Sequence, residues 1–141
     1  MSSRAVVLRE TLVSIAINVA ITVAFFFAVF GLATPIDGAS FGRDFLPQAF
    51  MVALMGTLIP SLLVRRGSGT AITPVVLRSL LLAVASLALA GGGAWLFFSG
   101  GEAVEPYAGL AMKIIFAAVL SAVVTPVAIH QTLVAPVRRP Q

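Results

Sequence analysis

The stretch FMVALMGTLIPSLLVRR, residues 50–66, carries no charged residue until it ends in two arginines. Its apolar character is typical of a helix that crosses a membrane, which needs about 20 mostly apolar residues. A proline at position 60 interrupts the run, and proline bends a helix because it removes one backbone donor. We therefore expect a membrane helix that bends at Pro60 and reaches the membrane surface at Arg65 and Arg66.

The composition extends this interpretation to the whole chain. Of 141 residues, 60% are hydrophobic and 10% are charged, whereas a soluble domain carries about 25% charged residues. Residues 11–36, 45–64, 79–101 and 114–137 each lack Asp, Glu, Lys and Arg. We expect an all-α bundle of four transmembrane helices, at 10–33, 45–64, 78–99 and 111–134, with residues 1–141 forming one integral membrane domain.

Several classes of function find no support in the sequence. Cysteine is absent and histidine occurs once, so neither a thiolate nucleophile nor a metal cluster is expected. The nine basic residues are spread around apolar spans, and a basic face that could bind nucleic acid is not predicted. We therefore expect a non-enzymatic protein without metal or cofactor.

The distribution of basic residues predicts the topology. Seven lie in the N-terminus, the second connection and the C-terminus, and two lie in the first and third connections: Arg4, Arg9, Arg65, Arg66, Arg78, Arg138 and Arg139 against Arg43 and Lys113. Basic residues concentrate in cytoplasmic segments. Both termini are therefore expected to face the cytoplasm.

An internal repeat accounts for the proline. FAAVLSAVVTPVAIHQT, residues 116–132, matches residues 50–66 in its initial Phe, in a Leu four residues on and in a Pro ten residues on. VLR opens both the first helix, at Val7, and the third, at Val76. We expect two tandem helix pairs, 7–66 and 76–132, with Pro60 and Pro126 as equivalent helix bends. The carbonyl that each proline frees needs a donor, which Thr57 and Thr125 could supply.

A proline in the second helix of a pair, followed by an arginine pair, resembles small bacterial inner-membrane families built from a two-helix unit. The similarity is clearest over 43–66 and weaker over 111–132, where Gln131 and Thr132 replace the arginines. The resemblance implies a multi-pass protein of the bacterial inner membrane and implies no particular activity.

Polar residues predict which helix faces meet. Thr11, Ser14, Asn18 and Thr22 lie on one side of the first helix, with Glu10 at its edge. Such side chains face protein or water rather than lipid, so they form packing contacts or line a polar path. Asn18 is expected to meet Ser86, a serine or threonine of the fourth helix such as Ser121 or Thr125, or a carbonyl freed by proline.

Two further patterns have alternative interpretations. Glu10 and His130 lie at similar depth and could form a proton relay, or act only as interfacial anchors. In the third helix, Ala83, Ser86, Ala90 and Gly93 predict close packing against a neighbour.

All aromatic residues fall in the predicted outer half of the bundle, where they either pack or surround an apolar ligand. We therefore expect a binding or accessory subunit of a larger membrane assembly, or a homo-oligomer, with a possible apolar ligand or lipid site in the outer half. The alternative is a small oligomeric transporter or channel with a polar path along the first helix.

Overall fold

A computed structural model describes residues 3–68 and 71–134; Arg138 and Arg139, which entered the topology prediction, lie outside these ranges. The described chain is helical. Its elements are α1 (Ser3–Val29), α2 (Gly38–Arg43), α3 (Phe45–Ser68), α4 (Ile72–Ser86), a π-helical segment (Leu87–Gly91), α5 (Gly92–Phe98) and α6 (Pro106–Val134).

Within the described ranges, four helical stretches are long and apolar enough to cross a membrane: Arg4–Val29, Gly38–Arg66, Ile72–Phe98 and Pro106–Val134. The second joins α2 to α3, and the third runs from α4 through the π-helical segment into α5. The prediction of an all-helical protein with four helices long and apolar enough to span a membrane is confirmed.

The helices extend beyond the predicted boundaries at charged residues. α1 begins at Ser3 rather than at residue 10, and α6 begins at Pro106 rather than at residue 111. Arg4 and Arg9 therefore lie within α1, where their side chains are exposed. Long basic side chains can be part of a membrane helix because the stem covers apolar surface while the charged group reaches water.

Local signals explain where the helices begin and end. Gly31, with φ of 67°, follows α1, and its N–H donates to Phe26 O, which is how a left-handed glycine caps the last carbonyls of a helix. The Asp37 side chain accepts from the Ser40 N–H at the start of α2. Glu105, the residue before Pro106, caps α6 in the same way: its Oε2 accepts from the Ala108 N–H, and Pro106 is the first residue of the helix.

Two helices form the centre of the bundle. α6 packs along both α1 and α3, and α3 also packs along α4 and the π-helical segment, so α1 and α4 lie at opposite edges. Ile36 and Val104 pair through two backbone hydrogen bonds, Ile36 N–H to Val104 O and Val104 N–H to Ile36 O, of 2.9 and 2.8 Å. These bonds join the connections after α1 and before α6. We call this side of the bundle the loop end and the opposite side the arginine end.

Small residues bring α4 close to α3, although not all those that the sequence suggested. Ala83 is fully buried against the core around Ala49 and Ala53. A Cβ added at Gly91 would lie 3.0 Å from Phe45 O, whereas one at Gly93 would meet nothing within 4 Å. The π-helical segment shifts the helix register relative to a regular α-helix, so Gly91 rather than Gly93 makes the close approach.

Candidate functional site

The polar stripe of α1 lies inside the bundle. Four polar residues recur at intervals of four and are each about 95% buried: Glu10, Ser14, Asn18 and Thr22. Thr11, which the sequence assigned to the stripe, is only half-buried, and its hydroxyl donates to Val7 O of its own helix. A helix returns to nearly the same face after four residues, so all four side chains point toward α3 and α6. Because the same helix exposes Leu12, Ile17 and Ile21, its polar and apolar faces are separate.

Asn18 meets a serine of α6. Its Nδ2 donates to Ser121 Oγ at 3.0 Å and to the backbone oxygen of Ser14 at 3.0 Å. Of the partners that the sequence offered, Ser121 is therefore present. Ser86 is buried but belongs to α4, on the far side of α3 from α1, and the suggestion that it meets Asn18 is wrong.

Thr125 supplies the hydroxyl for the carbonyl that Pro60 frees. In a regular helix the N–H of residue 60 would donate to Gly56 O, and proline has no N–H. Thr125 Oγ1 donates to Gly56 O instead, at 2.7 Å, and lies 3.0 Å from Ser14 Oγ. A fully buried side chain of α6 thus completes the hydrogen bonding of α3.

Glycine at position 56 allows this contact. A Cβ added there would lie 3.1 Å from Ser14 Oγ, 3.3 Å from Thr125 Oγ1 and 3.4 Å from Asn18 Nδ2. The three helices therefore approach one another at the backbone of Gly56. We call Ser14, Asn18, Gly56, Ser121 and Thr125 the neutral cluster.

Thr57 and Pro126 behave differently from Thr125 and Pro60. Thr57 Oγ1 donates within its own helix, to Ala53 O at 2.7 Å, so the suggestion that it serves a proline-freed carbonyl is wrong. Pro60 is buried, whereas Pro126 is only half-buried. Both prolines lie inside continuous helices, but they occupy different positions relative to the core.

Gln48 continues the polar contacts toward the loop end. Its Nε2 donates to Thr22 Oγ1 at 3.3 Å and to Lys113 O at 3.2 Å, which joins α3 to α1 and α6. Within the described ranges, Gln48 Oε1 is the one buried side-chain polar atom that lacks a hydrogen-bond partner. The sequence placed Gln48 at the outer end of the second helix but assigned it no partner.

Beside Gln48, Lys113 and Asp44 form a buried ion pair. Lys113 Nζ donates to Asp44 Oδ2 at 2.7 Å, and the lysine side chain is 2% exposed. The same Nζ lies 3.8 Å from the ring centroid of Phe45 and 5.0 Å from that of Phe41, distances at which a ring face attracts a cation. We call Phe41, Asp44, Phe45 and Lys113 the charged cluster.

The position of Lys113 corrects the sequence interpretation. The count of basic residues assigned Lys113 to the third connection, although the predicted fourth helix begins two residues earlier, at residue 111. In the structure Lys113 lies seven residues inside α6, about 10 Å from the start of the helix at a rise of 1.5 Å per residue. The signal that could have found it is the match between one lysine and Asp44, both at the same end of neighbouring spans.

The aromatic residues around this pair mostly pack on one another. Phe26, Phe41 and Phe45 are buried, and Phe98 and Phe116 pack against them. Phe41 and Phe98 are edge to face at 5.0 Å, and Phe45 and Phe116 at 4.9 Å. Other aromatic side chains, among them Phe25, Phe97 and Tyr107, are exposed on the bundle surface.

Glu10 and His130 do not come together. Glu10 is 5% exposed and accepts from Arg9 Nε at 2.9 Å. His130 is exposed on the side of α6 that faces Thr11 and Leu8. Both residues are described, and no hydrogen bond or ion pair joins them. The geometry therefore offers no direct proton relay between the two residues.

An apolar cleft of about 240 Å³ opens between α1 and α3 near the loop end. Its walls are Ile21, Phe25 and Phe26 of α1 and Pro47, Met51, Val52 and Met55 of α3. Asn18, Thr22, Asp44, Gln48 and Lys113 also line it. Because these polar groups are mostly engaged in hydrogen bonds or in the ion pair, the cleft presents mostly hydrocarbon. Cleft and charged cluster together form the candidate functional site.

No family model, curated protein or solved structure matches the chain. Over residues 3–68 and 71–134, no group of three or more His, Cys, Asp or Glu side chains could hold a metal ion. The site presents apolar walls, one unpaired acceptor at Gln48 Oε1 and the ion pair of Lys113 and Asp44.

Proposed function

We propose that the protein is a non-enzymatic inner-membrane protein that binds the hydrocarbon chain of a lipid or similar amphiphile in the cleft between α1 and α3. It would act as an accessory subunit of a larger membrane assembly or as a homo-oligomer. The observation that carries the proposal is the cleft itself. Ligand sites are concave and mainly apolar, with a few placed polar groups, and this cleft combines Met51 and Met55 with Gln48 at its base.

The size of the cleft favours a single chain. Sites for drug-sized ligands measure about 300–1,000 Å³, and the cleft has about 240 Å³. Methionine side chains adapt to ligands of varied shape, and two of them line the same wall. We therefore expect one flexible acyl chain rather than a rigid ring system.

The alternative of a polar path along the first helix receives less support from the same geometry. The side chains that would line it bond to one another across the helices, as Asn18 does to Ser121 and Thr125 does to Gly56. Ser121 and Thr125 are 0% exposed. Such contacts suit packing, and a conducting path would require the neutral cluster to open.

A photoreactive fatty acid incorporated into membranes tests the binding proposal. In the wild type, cross-links should map to the cleft wall around Met51 and Met55. Ile21→Trp should lower labelling severalfold, because it places a larger side chain at the cleft. Ile17→Trp is the matched control, since Ile17 lies on the same helix with a similar exposure of 42% against 48% for Ile21, and does not line the cleft. Equal labelling of the two variants would refute the proposal.

The orientation that we propose places the arginine end in the cytoplasm. Arg4, Arg9, Arg65, Arg66 and Arg78 belong to that end, and short cytoplasmic segments of bacterial membrane proteins carry an excess of basic residues. Single cysteines at Ser40 and Ser99 should react with a membrane-impermeant thiol reagent added outside, and a cysteine at Ala71 should not. External labelling at Ala71 would reverse the orientation.

The tandem repeat remains part of the proposal, with a changed register. Buried residues of α3 align with buried residues of α6 at a sequence offset of 68 residues: Ala49 with Ala117, Val52 with Leu120, Ala53 with Ser121 and Thr57 with Thr125. Glu10 and Ser14 likewise pair with Ser79 and Ala83 at 69. The prolines are 66 apart, so in this alignment Pro60 and Pro126 are not equivalent. Superposing residues 7–66 on 76–132 in an experimental structure would test it.

The outer surface supports assembly with lipid or with another subunit. α1 and α4 lie at opposite edges and expose many large apolar side chains, including Leu12, Leu77, Leu81 and Val84. The mass of the detergent-extracted particle, with any co-purifying protein or lipid, distinguishes a monomer from an oligomer or a complex. A particle with the mass of one chain in every detergent would contradict the assembly proposal.

A further inference from the structure

A second concave surface lies at the arginine end, between α1 and α6. This groove of about 380 Å³ is formed on one side by the first turns of α1 and on the other by the last turns of α6. Its lining residues are Arg4, Val7, Leu8, Thr11, Pro126, His130 and Leu133. The groove shares no lining residue with the cleft between α1 and α3.

The groove is apolar along its walls and basic at its margin. Leu8 and Leu133 are 62% and 41% exposed, so hydrocarbon is open to contact there. Arg4 and His130 are the two lining side chains that can carry positive charge, and both are exposed. The Thr11 hydroxyl donates to Val7 O within α1. The side-chain donors left for a ligand at the margin are therefore those of Arg4 and His130.

Nearby acidic groups do not neutralise this margin. Among the described residues, Glu10 is the acidic side chain of the arginine end, and its Oε1 accepts from Arg9. Glu10 points into the bundle with Ser14, whereas the groove lies on the face of α1 that carries Leu8 and Thr11. Arg66 and Arg78 add positive charge at the same end.

We propose that this groove binds an anionic phospholipid of the adjacent leaflet, with its headgroup phosphate contacted by Arg4 and His130. Its acyl chain would run along Leu8, Pro126 and Leu133. Arginine recognises phosphate through two parallel N–H donors, and basic pockets between transmembrane helices near the membrane surface bind anionic headgroups. A lipid is favoured over a soluble phosphate because the walls below the cations are apolar.

Native mass spectrometry of protein released from lipid nanodiscs provides the test. The nanodiscs contain phosphatidylglycerol mixed with phosphatidylcholine, and the measured quantity is the retained phosphatidylglycerol per chain. Nanodiscs of phosphatidylcholine alone give the background of lipid retained without an anionic headgroup. Arg4→Gln should lower its apparent affinity about fivefold, the contribution of one basic residue near an anionic surface. Arg4→Gln combined with His130→Gln should lower it further. Arg66→Gln is the matched control, because it removes an exposed arginine of the same end that does not line the groove.

Three outcomes would overturn the proposal. If Arg66→Gln reduces retention as much as Arg4→Gln, the attraction comes from net charge rather than from the groove. If the double variant retains phosphatidylglycerol like the wild type, the groove does not bind it. If millimolar inorganic phosphate displaces the lipid, the site takes phosphate and not an anchored headgroup. Circular dichroism and the thermal midpoint establish that each variant is folded, and fatty-acid labelling of the cleft is scored separately.

Discussion

The neutral cluster joins α1, α3 and α6, whereas the charged cluster joins α2, α3 and α6. At the neutral cluster α3 presents Gly56, and α1 and α6 come close enough for Thr125 Oγ1 to reach the Gly56 carbonyl at 2.7 Å. At the charged cluster α3 presents Phe45, and the space beside α6 is filled by rings and by the long side chain of Lys113. Close approach at Gly56 allows short hydroxyl bonds, while the charged cluster fills its space with phenylalanine rings and an ion pair of 2.7 Å.

The two clusters also differ in what a missing partner leaves behind. Loss of a hydroxyl leaves a neutral backbone group without a donor, which costs the desolvation of that group. Loss of a carboxylate beside Lys113 leaves a charge buried among phenylalanine rings, which costs considerably more. The expected order of mutational effects follows from this difference.

The largest effect is expected for Asp44→Asn, which removes the counter-charge of Lys113. Breaking a buried ion pair typically destabilises by 3–5 kcal/mol, and we expect about 2–3 kcal/mol because Asp44 keeps some solvent contact. Glu102→Gln, which neutralises an exposed carboxylate of the same end, should change little. The free energy of unfolding in detergent measures both.

A companion variant separates pair removal from pair breakage. Asp44→Leu combined with Lys113→Met replaces both charges by apolar groups, and such replacements are often neutral or stabilising. The double variant should therefore be more stable than Asp44→Asn. If Asp44→Asn is as mild as Glu102→Gln, the ion pair does not stabilise the loop end as described.

The next effect concerns the close approach at Gly56. Gly56→Ala places a methyl group against Ser14, Asn18 and Thr125, and overpacking of this kind costs about 1–3 kcal/mol. Gly93→Ala is the control, because its Cβ meets nothing within 4 Å and alanine favours a helix over glycine by about 0.5–1 kcal/mol. Unfolding midpoints that shift equally in the two variants would show that the helices do not meet at Gly56.

A smaller and more specific effect tests the donor to the Gly56 carbonyl. Thr125→Val keeps the shape but removes the hydroxyl, and we expect a loss of about 1–2 kcal/mol from the unpaired carbonyl. Pro60→Ala restores the backbone N–H that can donate to the same oxygen. In the Pro60→Ala background Thr125→Val should therefore cost less.

The two substitutions together form a double-mutant cycle. Coupling between residues that share a partner is commonly about 0.5–3 kcal/mol, and Thr125 and Pro60 share Gly56 O. Additive effects would mean that the carbonyl has another donor, and the proposed compensation between α6 and α3 would be wrong.

The smallest effect is expected at Asp37, which begins the helix that carries Phe41 into the charged cluster. The Ser40 N–H that donates to the carboxylate holds the pKa of Asp37 below its ordinary value. Because the pKa of Asp37 is lower in the folded state, the cap stabilises the fold fully above the ordinary aspartate pKa. This stabilisation is lost as the pH falls through the lowered value. A carbon-detected NMR titration should show Asp37 titrating below the ordinary pKa of an aspartate, and an unshifted midpoint would contradict the cap.

Much of the architecture follows from local pattern. The long uncharged runs of the chain appear as four helices that can span a membrane, because the backbone must satisfy its own hydrogen bonds in lipid. The four-residue spacing of Glu10, Ser14, Asn18 and Thr22 places them on one face, and that face is buried. Periodicity within a helix determines which residues share a face, and sequence alone reveals it.

The partners of those residues required the tertiary structure. The sequence supplied Ser86, Ser121 and Thr125 as candidates for Asn18, and the position of α1 beside α6 rather than α4 decided among them. Likewise a lysine at the edge of an uncharged run looks like part of a connection until Asp44 and two phenylalanine rings enclose it. The reason is physical: the contacts of a side chain depend on helix crossings, and these are set by packing between segments far apart in the chain.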